Sequence, residues 1–304
     1  MELIFLGTPA FAVPTLEMVL EAGHKVLTVV TQPDRPKGRG QVLSPSPVKE
    51  AALAHGLPVF QPERIKRPEI VAQLAELPAE AMVVVGYGQI IPQSIIDLPR
   101  YGILNVHASL LPKYRGAAPI QWAIVNGETT TGVTTMRIDA GLDTGDMLLR
   151  AETAIGPEET ALELGDRLAA MGATLLVETL SRIETLVPEK QDSAQATYAP
   201  ILKREDGHID WKRPLREILN QVRGFVPWPG CYAYWRGMRF HIWKATPAKL
   251  DLKPGKPGTV GQRLFVGCGD GAIEILELQL EGKRRMTAKE FLNGRGFKYG
   301  EDLQ

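Results

Sequence analysis

Leu3-Ile4-Phe5-Leu6-Gly7-Thr8-Pro9-Ala10-Phe11-Ala12 begins as a short apolar run, turns at Gly7-Thr8-Pro9 and enters a helix-compatible stretch over 10–22. Similar apolar runs recur at 26–30, 81–85 and 103–107, with further helix-compatible sequence between them, as at 68–77. A strand buried on both faces is apolar throughout, and alternation of such strands with helices implies a parallel sheet covered on both sides. The expected fold class is therefore α/β, a Rossmann-like doubly wound sheet. Ligands of such sheets collect outside the carboxyl ends of the strands.

The first turn argues against the usual nucleotide cofactor of that fold. A dinucleotide fingerprint needs glycines where the backbone meets the pyrophosphate, and Pro9 removes one amide that could bind it. The apolar opening also lacks the basic flank of a secretory leader and contains Glu2, Pro9, Pro14 and Glu17. No apolar run approaches the roughly 18 residues of a membrane span. A cytoplasmic protein with no membrane partner is expected.

The fourth run ends in Asn105-Val106-His107-Ala108-Ser109-Leu110-Leu111-Pro112, and Asp143 follows in Gly141-Leu142-Asp143-Thr144-Gly145-Asp146. Side chains two apart on a strand share a face, so Asn105 and His107 project into one small volume. An amide to hold a developing oxyanion, an imidazole to move protons and a carboxylate to set the imidazole's state form a candidate acyl-transfer site. Such a site needs no serine or cysteine nucleophile if the substrate brings an amine. Spacing does not choose between Asp143 and Asp146, because an aspartate beside glycine also serves by accepting backbone amide bonds.

Residues 105–112, the run Lys113-Tyr114-Arg115-Gly116-Ala117-Ala118-Pro119 and residues 141–146 together resemble the formyltransferase family that uses 10-formyltetrahydrofolate. The opening Phe5-Leu6-Gly7-Thr8-Pro9 and the long tail resemble the branch of that family acting on methionyl initiator tRNA, over essentially the whole chain. The resemblance implies that Asn105, His107 and Asp143 are catalytic and selects Asp143 over Asp146. It implies transfer of a formyl group from 10-formyltetrahydrofolate to the free α-amine of methionine on initiator tRNA, for translation initiation. Tyr87, Gly88, Gln89, Ile90 and Ile91 would receive the pterin of the tetrahydrofolate derivative, bordered by Ser109, Leu110, Leu111 and Pro112. A flat, amide-rich pterin suits backbone donors and acceptors in an apolar slot.

With 304 residues, 44% of them hydrophobic, the chain is long enough for two ordinary domains. Its formal net charge is zero, but the charge is uneven: residues 1–207 hold 18 Lys+Arg against 25 Asp+Glu, and 208–304 hold 17 against 10. A basic tail on an acidic body fits a polyanion gripped by the tail, since attraction to phosphate follows local charge density. Cys231 and Cys268 stand far apart without metal-ligand partners and are expected as buried thiols. The five histidines are scattered, so no metal is expected.

The expected domains are a formyltransferase domain over 1–187, a polar linker over 188–206 and a tRNA-binding domain over 207–304. Leu162, Leu164, Leu168, Leu175, Leu176 and Leu180 mark the core face of a helix over about 158–187, loosened or kinked at Gly172. In the tail, a helix over 214–222 precedes short strands near 231–235, 239–244, 258–260, 264–267 and 272–280, suggesting a small β-barrel. The family resemblance makes it OB-fold-like. Aromatic residues Trp228, Tyr232, Tyr234 and Trp235 are expected mainly in its core, with one or two exposed for stacking.

Two basic segments are candidates for tRNA. Lys283, Arg284 and Arg285 form a charge run in the basic tail. Residues 31–47, rich in proline and glycine, form an unstructured stretch long enough to be a mobile basic lid; its Lys37 and Arg39 are candidate tRNA-binding residues, and the resemblance implies that Arg39 meets the acceptor end. Other readings are a formyltransferase acting on glycinamide ribonucleotide or an amino sugar, and a non-catalytic folate sensor that binds nucleic acid. A small acceptor needs no extended basic surface, and a sensor needs no acid-base groups. A monomer is expected.

Overall fold

The computed structural model describes residues 1–37, 42–294, 296–297 and 301–304. The chain divides into two compact units, each drawn from three stretches of sequence. One comprises Met1–Gly116, Thr131–Thr153 and Gly165–Tyr198; the other comprises Ala117–Thr130, Ala154–Leu164 and Ala199–Gln304.

The first unit is built on a seven-stranded sheet. Its strand order is Met147–Ala154, Thr130–Arg137, Ile103–His107, Ala81–Val85, Glu2–Gly7, Lys25–Val30, Val59–Phe60. The five strands from Ile103–His107 to Val59–Phe60 pair in parallel. The four apolar runs are thus strands of a Rossmann-like sheet. The sheet is mixed rather than wholly parallel, because Thr130–Arg137 pairs antiparallel with Ile103–His107. That strand holds buried threonines, whose β-branched side chains suit a pleated surface and whose hydroxyls are bonded internally. Thr134 donates to the Ser109 carbonyl at 2.7 Å, and Thr135 pairs with Thr179 at 2.8 Å.

From Glu2–Gly7 the chain moves to Lys25–Val30 and Val59–Phe60 on one side and then crosses back to Ala81–Val85 on the other, which makes the crevice between Glu2–Gly7 and Ala81–Val85 the switch point of the sheet. The loops at its carboxyl end are tied together. Thr8 Oγ1 donates to the Tyr87 carbonyl at 2.9 Å, and a Cβ on Gly86 would lie 2.9 Å from Pro9 Cγ.

Ala161–Ser181 is one unbroken helix, shorter than 158–187 and continuous through Gly172. Its start is fixed by a reciprocal cap: Glu163 Oε2 accepts from the Thr160 N–H at 2.9 Å, and Thr160 Oγ1 accepts from the Glu163 N–H at 3.3 Å. Bonds from Arg182 to Thr179 and from Ile183 to Leu180 tighten its end. A Cβ on Gly172 would stand 2.5 Å from Val106 Cγ1, so the glycine lets helix and sheet approach rather than bending the helix. Val106 faces away from Asn105 and His107, and the helix thereby supports their strand from behind. Leu162, expected in the core, is 54% exposed because the buried face runs through Ala161, Leu164 and Leu168, and Leu162 lies off that stripe.

Parts of the stretch expected to be unstructured take regular structure. Arg35–Lys37 pairs antiparallel with Val42–Ser44, and a helix begins at Pro47 behind the cap residue Ser46.

The second unit is an antiparallel sheet in the order Cys231–Trp235, Met238–Ala248, Ala272–Leu280, Arg263–Gly267, Pro257–Val260, with Met286–Thr287 beside Ala272–Leu280. Alternation sends Cys231, Ala233 and Trp235 inward with Phe240 and Ile242, against Ile218, Val222 and Phe291 from the helices Leu215–Gly224 and Ala288–Gly294. Pro119–Val125 belongs to this unit, where Trp122 meets Phe225 edge-on at 5.5 Å. Both cysteines are buried and free, and burial pushes their thiols up. Among the described residues no helix is long and apolar enough to cross a membrane.

Candidate active site

His107 ends its strand at the carboxyl edge, and its ring is buried against the turn that follows. Nε2 lies 2.9 Å from the Tyr114 carbonyl. A carbonyl only accepts, so this nitrogen carries the proton. Nδ1 is left facing Asp143 Oδ2 at 3.8 Å, too far for a hydrogen bond. Nδ1 is therefore the nitrogen left to accept or hold a second proton, beside a carboxylate able to stabilise the charged ring. Asn105, two residues earlier on the same face, is 9% exposed.

The turn behind His107 is tightly determined. Ser109 Oγ donates to the Lys113 carbonyl at 2.6 Å, the Leu111 N–H donates to Thr134 Oγ1 at 3.1 Å, and Tyr114 N–H donates to Thr197 Oγ1 at 2.9 Å. Tyr114 takes a positive φ of 59°, which aims its carbonyl back at His107. None of these supporting contacts is visible in the Asn-x-His spacing.

Asp143 also has a positive φ, 51°. The glycines around it answer to space. A Cβ on Gly141 would lie 2.0 Å from Thr144 Oγ1, and one on Gly145 would lie 1.9 Å from the Arg137 carbonyl oxygen. The side chain that closes this loop is Asp139, which accepts from Gly141 N–H at 3.0 Å and Thr144 Oγ1 at 2.7 Å. Asp143 Oδ2 accepts from the Gly116 N–H at 2.8 Å, which turns the carboxylate toward His107. Asp139, two residues before the glycine-flanked segment, escaped the sequence reading, although an aspartate just ahead of Ala-Gly is a recognisable turn signal.

The residues expected around the pterin differ in what they can offer. The Tyr87 ring is 2% exposed within the core of Ile4, Leu6, Ile65 and Ile95, and burial pushes its phenol up to about 12. Its carbonyl already accepts from Thr8 and from Gln32 Nε2 at 3.1 Å. Gln89 is likewise occupied, accepting from Ile65 N–H at 2.8 Å and donating to the Pro62 carbonyl at 3.2 Å. Ile91 and Leu111 are core residues, the latter packed with Met136 and Met147. Gly88 backbone, Leu110, Pro112 and Ile90 remain accessible, with Ile90 fully 90% exposed. Leu142, 62% exposed beside Asp143, is a second accessible apolar group that the sequence reading passed over.

Of the basic candidates, Arg284 pairs with Glu290 at 2.7 Å, and Arg285 pairs with Glu277 at 2.6 Å while stacking on Trp243 at 5.3 Å. Lys283 is exposed. Lys37 stands in the strand Arg35–Lys37, and Arg39 lies outside the described residues. Trp228 is 52% exposed, whereas Tyr232 and Trp235 are buried. Among the described residues no group of three or more His, Cys, Asp or Glu is arranged to hold a metal.

Comparison with known proteins joins the two units. The family described as Formyl transferase matches residues 1–180, and the one described as Formyl transferase, C-terminal domain matches residues 201–296. The methionyl-tRNA formyltransferase of Solibacter usitatus is 62% identical over 307 residues, covering 100% of this chain and 98% of that protein. That of Geobacter metallireducens is 54% identical, covering 97% and 96% respectively. Among solved structures, an N-formyltransferase from Helicobacter canadensis in complex with folinic acid and dTDP-3-aminofucose superposes with a TM-score of 0.69 at 21% identity, over 93% of this chain and 99% of that one. HypX from Aquifex aeolicus, in complex with tetrahydrofolic acid, gives 0.66 at 18% identity over 99% of this chain, which spans 50% of HypX. At such identities the likeness is one of fold. The full-length matches decide the family: the chain belongs to the methionyl-tRNA formyltransferase family of formyl transferases.

Proposed function

We propose that this protein transfers a formyl group from 10-formyltetrahydrofolate to the free α-amine of methionine esterified to initiator tRNA, in the cytoplasm and as a monomer. The observation that carries the reading is the 62% identity over the whole chain to a protein named for that reaction. The amine attacks the formyl carbon, and the formyl oxygen takes up negative charge. The Asn105 amide donates to that oxyanion. His107 Nδ1 receives the proton that the attacking nitrogen sheds, while Nε2 stays on the Tyr114 carbonyl. Asp143 Oδ2, 3.8 Å from Nδ1, stabilises the resulting imidazolium. The proton then passes to the leaving nitrogen of tetrahydrofolate as the carbon–nitrogen bond breaks.

In this reading the pterin lies at the sheet's switch point against the Gly88 backbone, with Ile90, Leu110, Pro112 and Leu142 as apolar walls. The buried parts of Tyr87, Gln89, Ile91, Ser109 and Leu111 shape that wall from behind. The basic residues of 207–304, including Lys283, Arg284 and Arg285, hold tRNA phosphates, and Lys37 and Arg39 meet its acceptor end. Incubation with 10-formyltetrahydrofolate and an equal mixture of methionyl-tRNA and glycinamide ribonucleotide tests the reading. Formyl label should appear on methionyl-tRNA; label on the ribonucleotide alone would refute it.

A further inference from the structure

We propose that Gln191 is the positioning residue for Asp143, an inference that rests on Asp143 being the catalytic carboxylate. Gln191 lies in the polar stretch 188–206, far in sequence from the glycine-flanked loop. Its Nε2 donates to two carbonyls of that loop, Asp143 O and Gly145 O, each at 2.8 Å. Its Oε1 accepts from Arg115 Nε at 2.9 Å. Carbonyls only accept and a guanidinium only donates, so the amide has one satisfied orientation. Arg115 is itself 3% exposed, with its backbone N–H donated to the Thr197 carbonyl at 2.9 Å.

The arrangement holds Asp143 from both ends. The Gly116 N–H holds the carboxylate directly, and the neighbouring Arg115 holds the backbone through Gln191. Left-handed backbone in a residue with a Cβ persists only where its surroundings over-determine it. Without the two Gln191 bonds, Asp143 relaxes toward ordinary backbone and its carboxylate turns away from His107. Gln191 holds the loop by hydrogen bonds to its main chain, so it acts on the reaction through Asp143.

The test uses the full-length protein with Gln191→Glu, which sets a carboxylate against two carbonyl oxygens, and Gln191→Met, which removes both donors at similar size. Each should lower kcat for methionyl-tRNA formylation by about 10- to 100-fold, the scale of small displacements in an active site. KM for methionyl-tRNA should stay within about threefold. In an Asp143→Asn background, Gln191→Glu should add less than about twofold, because residues acting through one group are not additive. Near-wild-type kcat in both Gln191 variants, or full multiplication with Asp143→Asn, overturns the inference. Loss of the folded state in both variants does so too, by making Gln191 a determinant of the fold. A fully active Asp143→Asn protein instead removes the reading beneath it.

Discussion

At the residue scale, the unusual feature of the site is the direction of its histidine. Tyr114 rather than Asp143 occupies the hydrogen-bonded nitrogen, which leaves Nδ1 facing the carboxylate at 3.8 Å. His107→Ala should keep the fold and folate binding while lowering turnover at least 10²-fold, the lower range for a positioned acid-base group. Single-turnover formylation measures this directly, and retention of more than about a tenth of wild-type rate would remove the residue from the chemistry. Tyr87 behaves differently. Its hydroxyl is buried with no partner among the described residues, and burying an unbonded hydroxyl costs about 1–3 kcal/mol in proteins. Tyr87→Phe should therefore be neutral or stabilising by up to about 1 kcal/mol in chemical denaturation, with folate affinity changed less than about twofold. A clear loss of stability would mean that the hydroxyl has a partner in solution.

At the element scale, Gly172 ties the long helix to the strand that ends in His107. Alanine improves helix propensity by about 1 kcal/mol, but its methyl would sit 2.5 Å from Val106 Cγ1 on a buried strand. Overpacking costs about 1–3 kcal/mol, so Gly172→Ala should destabilise the fold by about 1 kcal/mol net. A raised melting temperature would contradict the close packing. Strands such as Ala81–Val85 were legible because residues buried on both faces leave an unbroken apolar run. Thr130–Arg137 was not, since its buried residues are largely threonines whose polarity is satisfied inside the fold. The helix start at Ala161 is marked in the sequence by Thr160-Ala161-Leu162-Glu163, whose threonine and glutamate form the reciprocal cap. Asn105 and His107 could be set side by side from strand geometry, whereas Arg115 and Gln191 act through hydrogen bonds between distant segments, which leave no period to detect.

At the scale of the whole molecule, the zero net charge conceals a basic tail, with 17 Lys+Arg against 10 Asp+Glu over 208–304. Binding to tRNA through phosphates releases counterions, so log K should fall linearly with log salt, by about 0.7–0.9 per phosphate contacted. A salt series with full-length protein checks this; a flat response would remove the phosphate contacts from the account. Arg284 and Arg285 already pair with Glu290 and Glu277, so a phosphate contact by either would exchange one anion for another rather than supply a first partner.

The interleaving of the two units bears on how the protein is made and how it can be cut. The chain passes between them five times, at 116/117, 130/131, 153/154, 164/165 and 198/199. During synthesis, Pro119–Val125 emerges long before Phe225, against which Trp122 packs. That short helix must wait, with its apolar face uncovered, while some hundred further residues are translated. The same dependence governs genetic dissection. A fragment stopped at residue 206 carries Trp122 and Val125 without Phe225 and its neighbours, and so presents an adhesive surface that the intact chain conceals. A folate-binding half is better obtained by rebuilding that surface than by placing a stop codon.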